Sequence, residues 1–252
     1  MKFQYFSDIH TEEYKSNPKK LQKILNTINV SAPYLILAGD IGDPYSRIYK
    51  DFLKSLSSLF QHIFLIAGNH EYYGKQSMLS VQDEIRKFTK SLGNIIYLEN
   101  EIFHIPDTNI SIFGATFWSD ICSQEETDIT KYISDYQCIP TFTVQTSRNL
   151  HKHSCEELNK ALESFPTRKF IVISHHLPSY SLVDPKYLYK QPSLNSAFAS
   201  NILSAYNPQI VAWVAGHTHT PLEQGKFYIN PLGYRGENLK YNLNKTFEIC
   251  AT

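Results

Sequence analysis

Five short polar clusters hold most of the residues in this chain that could bind metal ions or move protons. They are Asp8 with His10, Gly39-Asp40, Gly68-Asn69-His70-Glu71, His175-His176, and Gly216-His217-Thr218-His219. Each follows directly on an apolar run of strand type: KFQYF (2–6), YLILA (34–38), HIFLIA (62–67), KFIVIS (169–174) and IVAWVA (210–215). Residues two apart at a strand end point the same way, so Asp8/His10 and His217/His219 can each clasp one ion. Glycines before Asp40, Asn69 and His217 let the backbone turn sharply and bring a ligand close. Imidazoles, carboxylates and one neutral amide oxygen suit Mn²⁺, Fe or Zn²⁺; four histidines make Mg²⁺ and Ca²⁺ poorer matches. If Asp8, His10, Asp40, Asn69, His175, His217 and His219 serve two ions, one ligand must be shared. A short Asp at the sheet centre is the natural bridge, and Asp40 fits. His176 is the alternative to His175, which is preferred as the first residue past its strand. Any one cluster alone reads as an ordinary turn or helix cap. Five in register beyond five strands do not.

The elements that must position these clusters follow from periodicity. Pro18 to Val30 reads as a helix with Leu21, Ile24, Leu25 and Ile28 on one face, and Ser46–Phe60 and Ser77–Leu92 as two more. Strands alternating with helices imply a mostly parallel sheet, with ligands gathering beyond the C-terminal strand ends. The runs at 94–98, 101–105 and 109–115 lack intervening helices and read as an antiparallel continuation of that sheet. Residues 116–140 read as an irregular surface segment. A helix starting with Thr141 or Thr143 as N-cap runs to Phe165, before Pro166. A long stretch leads to Ala199, then a helix to about Tyr206, with strands at 227–230 and 246–250.

The bulk composition narrows the function classes. The 252 residues are 42% hydrophobic, and Lys+Arg balances Asp+Glu at 24 each. This neutrality argues against a general nucleic-acid binder. Cys122, Cys138, Cys155 and Cys250 are scattered without a CxxC pair, as in reduced thiols of a cytoplasmic protein. No signal peptide or membrane span is legible, and no repeat or linker divides the chain, so one domain over 1–252 is expected.

The ordered set D-x-H, GD, GNHE, a strand-terminal His and GHTH resembles the calcineurin-like metallophosphoesterase superfamily over roughly residues 3 to 232. The strings GNHEYY, SHHLPSYS, LNSAFAS, GHTHTP and NPLGY are similar to a bacterial branch of phosphohydrolases. The resemblance implies an α/β fold, a four-layer α-β-β-α sandwich of two mixed sheets. It implies one ion on Asp8, His10, Asp40 and His219 and a second on Asp40, Asn69, His175 and His217; the donor types make Mn²⁺ the first expectation, with Fe or Zn²⁺ next. It puts His70 at the substrate, as general acid or transition-state stabiliser while a bridging hydroxide attacks phosphorus in line.

Further readings attach to individual residues. Asp43 and Glu71 lie beside ligands and are expected to orient imidazole N–H groups. Tyr72-Tyr73 either packs on the following helix or lines the crevice. Residues 177–193, with Tyr180, Tyr187 and Tyr189, form a candidate lid loop. Asn230 and Tyr234 are candidates for the same crevice, and Arg235 for a phosphate contact. Trp118 and Trp213 are expected in the core or lid. His62 and His104 carry no function, and His151 and His153 read as surface residues. Protein phosphatases of the superfamily carry an Arg where GDIGDPYSR has Pro44, with Arg47 a partial substitute. A small-molecule phosphodiester or phosphomonoester is therefore the expected partner, and nucleic acid is not. A nuclease of short single strands and a non-catalytic protein-binding scaffold are the alternatives.

Overall fold

Strand side chains alternate between two apolar environments. In the computed structural model, which describes residues 1–238 and 241–250, Leu35, Leu37, Ile63 and Leu65 face one core. Ile36, Ala38, Phe64 and Ile66, between them in sequence, face another. A strand buried on both faces must lie inside a stack of layers.

The strands are β1 (Lys2–Phe6), β2 (Tyr34–Ala38), β3 (His62–Ile66), β4 (Ile95–Tyr97), β5 (Glu101–His104) and β6 (Ile110–Gly114). They continue as β7 (Lys169–Ile173), β8 (Ile210–Ala215), β9 (Leu222–Gln224), β10 (Phe227–Ile229) and β11 (Thr246–Glu248). One sheet has the order β11-β1-β2-β3-β4 and the other β5-β6-β7-β8-β10-β9. The neighbours β1 to β4 are parallel, as are β6, β7, β8 and β10. Strands β11, β5 and β9 pair antiparallel at the edges, so both sheets are mixed.

The sheets pack face to face through Phe3, Tyr5, Ile36 and Phe64 against Ile112, Ile171, Ile173 and Val214. Helices α1 (Pro18–Leu25), α2 (Arg47–Ser57) and α3 (Met78–Leu92) supply Leu21, Phe52, Leu53, Leu56, Val81 and Ile85 to the outer face of the first sheet. Between β6 and β7 lie α4 (Glu126–Tyr132), α5 (Asp135–Cys138) and α6 (Val144–Ser164). From α6, Leu158, Ala161 and Leu162 cover the second sheet with Phe170, Val172 and Trp213. This is the expected α-β-β-α sandwich. Trp118 and Trp213 are both buried in it.

Several expectations need correction. Strands β4 and β5 belong to different sheets, so 94–115 is not one antiparallel continuation; Asn100 turns the chain between them with φ of 57°. Residues 116–140 contain α4 and α5, whose shortness hid them from periodicity, and α1 stops at Leu25 with Asn26 as its cap. Only a single 3₁₀ turn, Leu203–Tyr206, occupies the expected helix before β8. His151 is half-buried rather than on the surface, its Nδ1 bonded to Trp118 O at 2.8 Å. Residues 177–193 hold a 3₁₀ turn (Tyr180–Leu182) and a short helix, α7 (Pro185–Lys190).

Register brings the polar clusters together. Phe6 pairs with Leu37, Ala38 with Ile66, and Ile173 with Val214, so each sheet releases its clusters side by side at one end. Helix α6 starts where Thr143 Oγ1 accepts the Thr146 N–H at 3.1 Å. Thr143→Ala is expected to lower stability by about 1 kcal/mol without affecting the centre. Urea unfolding checks this, and an unchanged midpoint would show that the cap contributes nothing.

Candidate metal centre

Five of the seven expected ligands leave their strands in left-handed backbone: Asp8 (φ 55°), His10 (49°), Asp40 (54°), His217 (71°) and His219 (50°). The strand pleat therefore does not aim them, contrary to the expectation from two-residue spacing. Left-handed residues other than glycine cost of order 1–3 kcal/mol each and persist only where surroundings over-determine them. Here bonds between the loops do so. Asp8 N–H donates to Gly39 O at 3.0 Å, His10 N–H to Asp40 O at 3.0 Å, and His217 N–H to Asp8 Oδ1 at 3.0 Å. Gly68 permits the closest approach, since a Cβ there would lie 2.2 Å from Asp40 Oδ1.

All seven side chains meet. The donor atoms of Asp8, His10 and His219 lie within 4.8 Å of one another, and so do those of Asp40, His175 and His217. Asp40 Oδ2 stands between the sets, 3.8 Å from His10 Nε2 and 3.3 Å from His175 Nε2. Asn69 Oδ1 joins the second set, 3.0 Å from His175 Nε2. His176 does not reach Asp40; it packs against Trp118 and His217, with ring centroids 5.3 Å and 4.2 Å away.

The outer ring nitrogens reveal how the centre is oriented. His10 Nδ1 donates to Glu12 Oε1 at 3.1 Å, His175 Nδ1 to Ala38 O at 2.8 Å, and His219 Nδ1 to Glu237 Oε2 at 2.6 Å. With Nδ1–H engaged outside, all three turn Nε2 inward, where it would offer its lone pair to a bound cation on losing its proton. His10 Nε2 and His219 Nε2 face each other at 3.1 Å. Inward Nε2 atoms beside two buried carboxylates form a donor set that fits divalent cations.

Charge balance in the protein alone falls on the histidines. Burial opposes ionisation of Asp40, but the charges of His175 and His70 hold it well below the usual carboxylate range. Asp8 is likewise lowered against its burial, chiefly by His219. Burial also disfavours charge on His175, yet Asp40 raises it to about 10. His176, buried and beside charged His175, is pushed down to about 3.

His70 lies beside the centre. Its N–H donates to Asp40 Oδ1 at 2.9 Å, its Nδ1 to Glu12 Oε1 at 3.1 Å, and its Nε2 is 3.0 Å from the Tyr234 hydroxyl. Burial works against its charged form, but Asp40 and Glu12 raise it to about 9. Glu12 thus holds both His10 and His70. It continues the two-residue spacing of Asp8 and His10, a signal that could have singled it out. Glu237 and Asp135 carried no such signal. Asp135 Oδ1 accepts from Asn69 Nδ2 at 2.8 Å and from the Tyr73 hydroxyl at 2.6 Å.

Other expected roles are not seen. Asp43 pairs with Lys15 at 3.0 Å and touches no imidazole. Glu71 accepts backbone N–H groups of Gly68, Asp40 and Ile41 at 2.7, 3.0 and 2.7 Å, so it shapes the Asp40 loop instead of orienting a ring. Asn230 Nδ2 bonds Tyr5 O and Asn242 O, both at 2.8 Å, and fastens the C-terminal segment. Arg47 is exposed and paired with Asp51, and Arg235 lines a separate groove.

A cavity of about 300 Å³ opens over the centre, with Asp40, Asn69, His70, His217 and His219 in its lining. Val183, Tyr187 and Gln191 of the 177–193 segment line it as well. Tyr180 instead packs on the core outside the second sheet, and Tyr189 is exposed.

The sequence model of the calcineurin-like phosphoesterases matches residues 1–221. The chain belongs to this family. Family members depend on metals, which agrees with the donor sets above. An uncharacterized protein, L509, of Acanthamoeba polyphaga mimivirus is 31% identical over 94% of this chain and 93% of its own. The phosphopantetheinyl hydrolase PptH of Mycobacterium tuberculosis has the same fold, with a TM-score of 0.75 at 16% identity over 93% of this chain and 90% of that one. A Staphylococcus aureus protein described as a putative 5'-nucleotidase gives 0.51 at 17% identity; the match covers 92% of this chain and 48% of that one.

Asp135 fixes the Asn69 amide with its oxygen toward His175. In Asp135→Asn the new amide can instead donate to Asn69, favouring the flipped orientation. A cation held by the set that includes Asn69 should lose about 10–100-fold in affinity. Calorimetric titration with Mn²⁺ as the probe checks this; an unchanged isotherm would show that Asp135 does not set the amide.

Proposed function

We propose that the chain is a two-metal phosphoesterase acting on a small phosphodiester or phosphomonoester. The observation that carries this reading is Asp40, one buried carboxylate within reach of both donor sets beneath the cavity. In the proposal Asp8, His10, Asp40 and His219 hold one ion, and Asp40, Asn69, His175 and His217 the other. Mn²⁺ is the leading metal, with Fe or Zn²⁺ next. Two such ions would supply activated water and neutralise charge on the phosphoryl oxygens.

The chain's own residues do the remainder. Glu12 keeps His70 oriented and favours its protonated form. His70 then stabilises charge on the phosphoryl oxygens or protonates the leaving oxygen. The Nε2–H that meets the Tyr234 hydroxyl is the one that would turn to a substrate oxygen, since Nδ1 is taken by Glu12. Among the described residues no Lys or Arg lines the cavity, which weighs against a nuclease of single strands, since that needs a cationic track. The four free cysteines suit a reducing compartment, so we assign the cytoplasm. No helix among the described residues is long and apolar enough to cross a membrane.

The test is Mn²⁺-loaded protein on bis-p-nitrophenyl phosphate, p-nitrophenyl phosphate, cyclic nucleotides and oligonucleotides. A small ester should be hydrolysed. Asp40→Ala should fall to background and His70→Ala by about 10²–10⁴-fold in kcat. Equal rates for wild type and Asp40→Ala would refute the catalytic assignment. Glu12→Gln should lose about 10–100-fold in activity or metal affinity; an unchanged variant would remove Glu12 from the account.

A further inference from the structure

Three cations share one groove outside the cavity. Helix α1 carries Lys19, Lys20 and Lys23 and no acidic residue, in a chain whose Lys+Arg and Asp+Glu balance at 24 each. Lys20 and Lys23, three apart and so on one helix face, line a groove of about 290 Å³ together with Arg235, Tyr14 and Tyr241. Among the described residues no Asp or Glu lines it, and none of the three cations forms an ion pair. Of the nearby carboxylates, Glu237 is taken by His219 Nδ1 and the Tyr234 N–H, and Glu13 is exposed outside the lining. Cations held together without a carboxylate repel one another, so the arrangement favours an anion between them.

The groove adjoins the cavity over the metal centre, because Tyr234 is in the lining of both. The Tyr234 hydroxyl stands 3.0 Å from His70 Nε2, and its ring centroid is 4.6 Å from that of His10. The turn Tyr234–Glu237 explains the double role. The Glu237 N–H closes it on Tyr234 O at 2.9 Å, and Gly236 takes a left-handed φ of 86°. Tyr234 and Glu237, at the ends of the turn, reach His70 and His219, while Arg235 and Gly236 between them line the groove. A guanidinium thus sits one tyrosine ring away from the centre, on a turn fastened to it.

Building on the phosphoesterase reading, we propose that the groove is a second anion site, which takes a phosphate group on Lys20, Lys23 and Arg235 beside the reacting one. The group is either a second phosphate of the substrate, carried across Tyr234, or a free phosphate ion. A guanidinium can hold two of its oxygens at once, and the two ammonium groups offset its remaining charge. Arg235 is then a phosphate contact, but for a phosphate other than the one that reacts.

Tungstate, a tetrahedral dianion, probes the site itself. Anomalous diffraction from Mn²⁺-loaded crystals soaked in tungstate should show tungsten among Lys20, Lys23 and Arg235, and the peak should be lost in Lys23→Gln with Arg235→Gln. No tungsten in the groove, or a peak that the double variant keeps, would overturn the proposal. Two diesters with a common leaving group then identify the source of the phosphate. One is 3-phosphonopropyl p-nitrophenyl phosphate, whose phosphonate has no ester bond to hydrolyse, and the other is propyl p-nitrophenyl phosphate. If the substrate supplies the second phosphate, kcat/KM with Mn²⁺-loaded protein should be about tenfold higher for the phosphonopropyl ester. That ratio should fall toward one in the double variant and stay in Lys19→Gln, which removes a charge from the same helix outside the groove. Equal rates for the two esters, with tungsten in the groove, assign the site to a free phosphate ion. Hydrolysis of neither ester would overturn the phosphoesterase reading, and the tungstate experiment would still decide the groove.

Discussion

The centre depends on one costly arrangement, the burial of the Asp8 and Asp40 carboxylates where, among the described residues, no Lys or Arg pairs with them. Both are essentially inaccessible, and their ion pairs are with His10, His175 and His219. Buried carboxylates are tolerated only opposite positive charge and hydrogen-bond donors. Much of the nearby structure answers that need. Gly68 has no side chain because Asp40 Oδ1 occupies its place, Glu71 gathers the backbone N–H groups around Asp40, and five ligand residues adopt left-handed backbone. Divalent ions at the two donor sets would take over the balance that the histidines otherwise supply.

The sandwich makes this burial possible because each sheet brings only part of the centre. Strands β1, β2 and β3 deliver Asp8, His10, Asp40 and Asn69; β7 and β8 deliver His175, His217 and His219. The contacts that cross between the sheets, His175 Nδ1 to Ala38 O and His217 N to Asp8 Oδ1, tie ligand orientation to inter-sheet packing. Loss of that packing would misalign both donor sets together.

The inner ring of the centre was legible because its residues sit at fixed offsets from apolar runs that periodicity finds. The strand pleat was nonetheless the wrong reason for their convergence, since left-handed backbone at Asp8, His10, Asp40, His217 and His219 aims them. The outer ring was much less legible. Asp135 belongs to a four-residue helix, too short for any period, and Glu237 lies in a loop with no pattern. Asp43 and Glu71 were misread because adjacency in sequence does not report where a side chain turns. The split of β4 and β5 between two sheets was invisible for a related reason, as one left-handed Asn100 redirects the chain while both runs keep strand character.

The most direct measurement is anomalous diffraction from crystals of the Mn²⁺-loaded protein. The account requires two ions about 3.5–4 Å apart, both within bonding distance of the Asp40 carboxylate, with Asn69 Oδ1 and His175 Nε2 on one and His10 Nε2 and His219 Nε2 on the other. A single ion, or two ions that do not share Asp40, would contradict it.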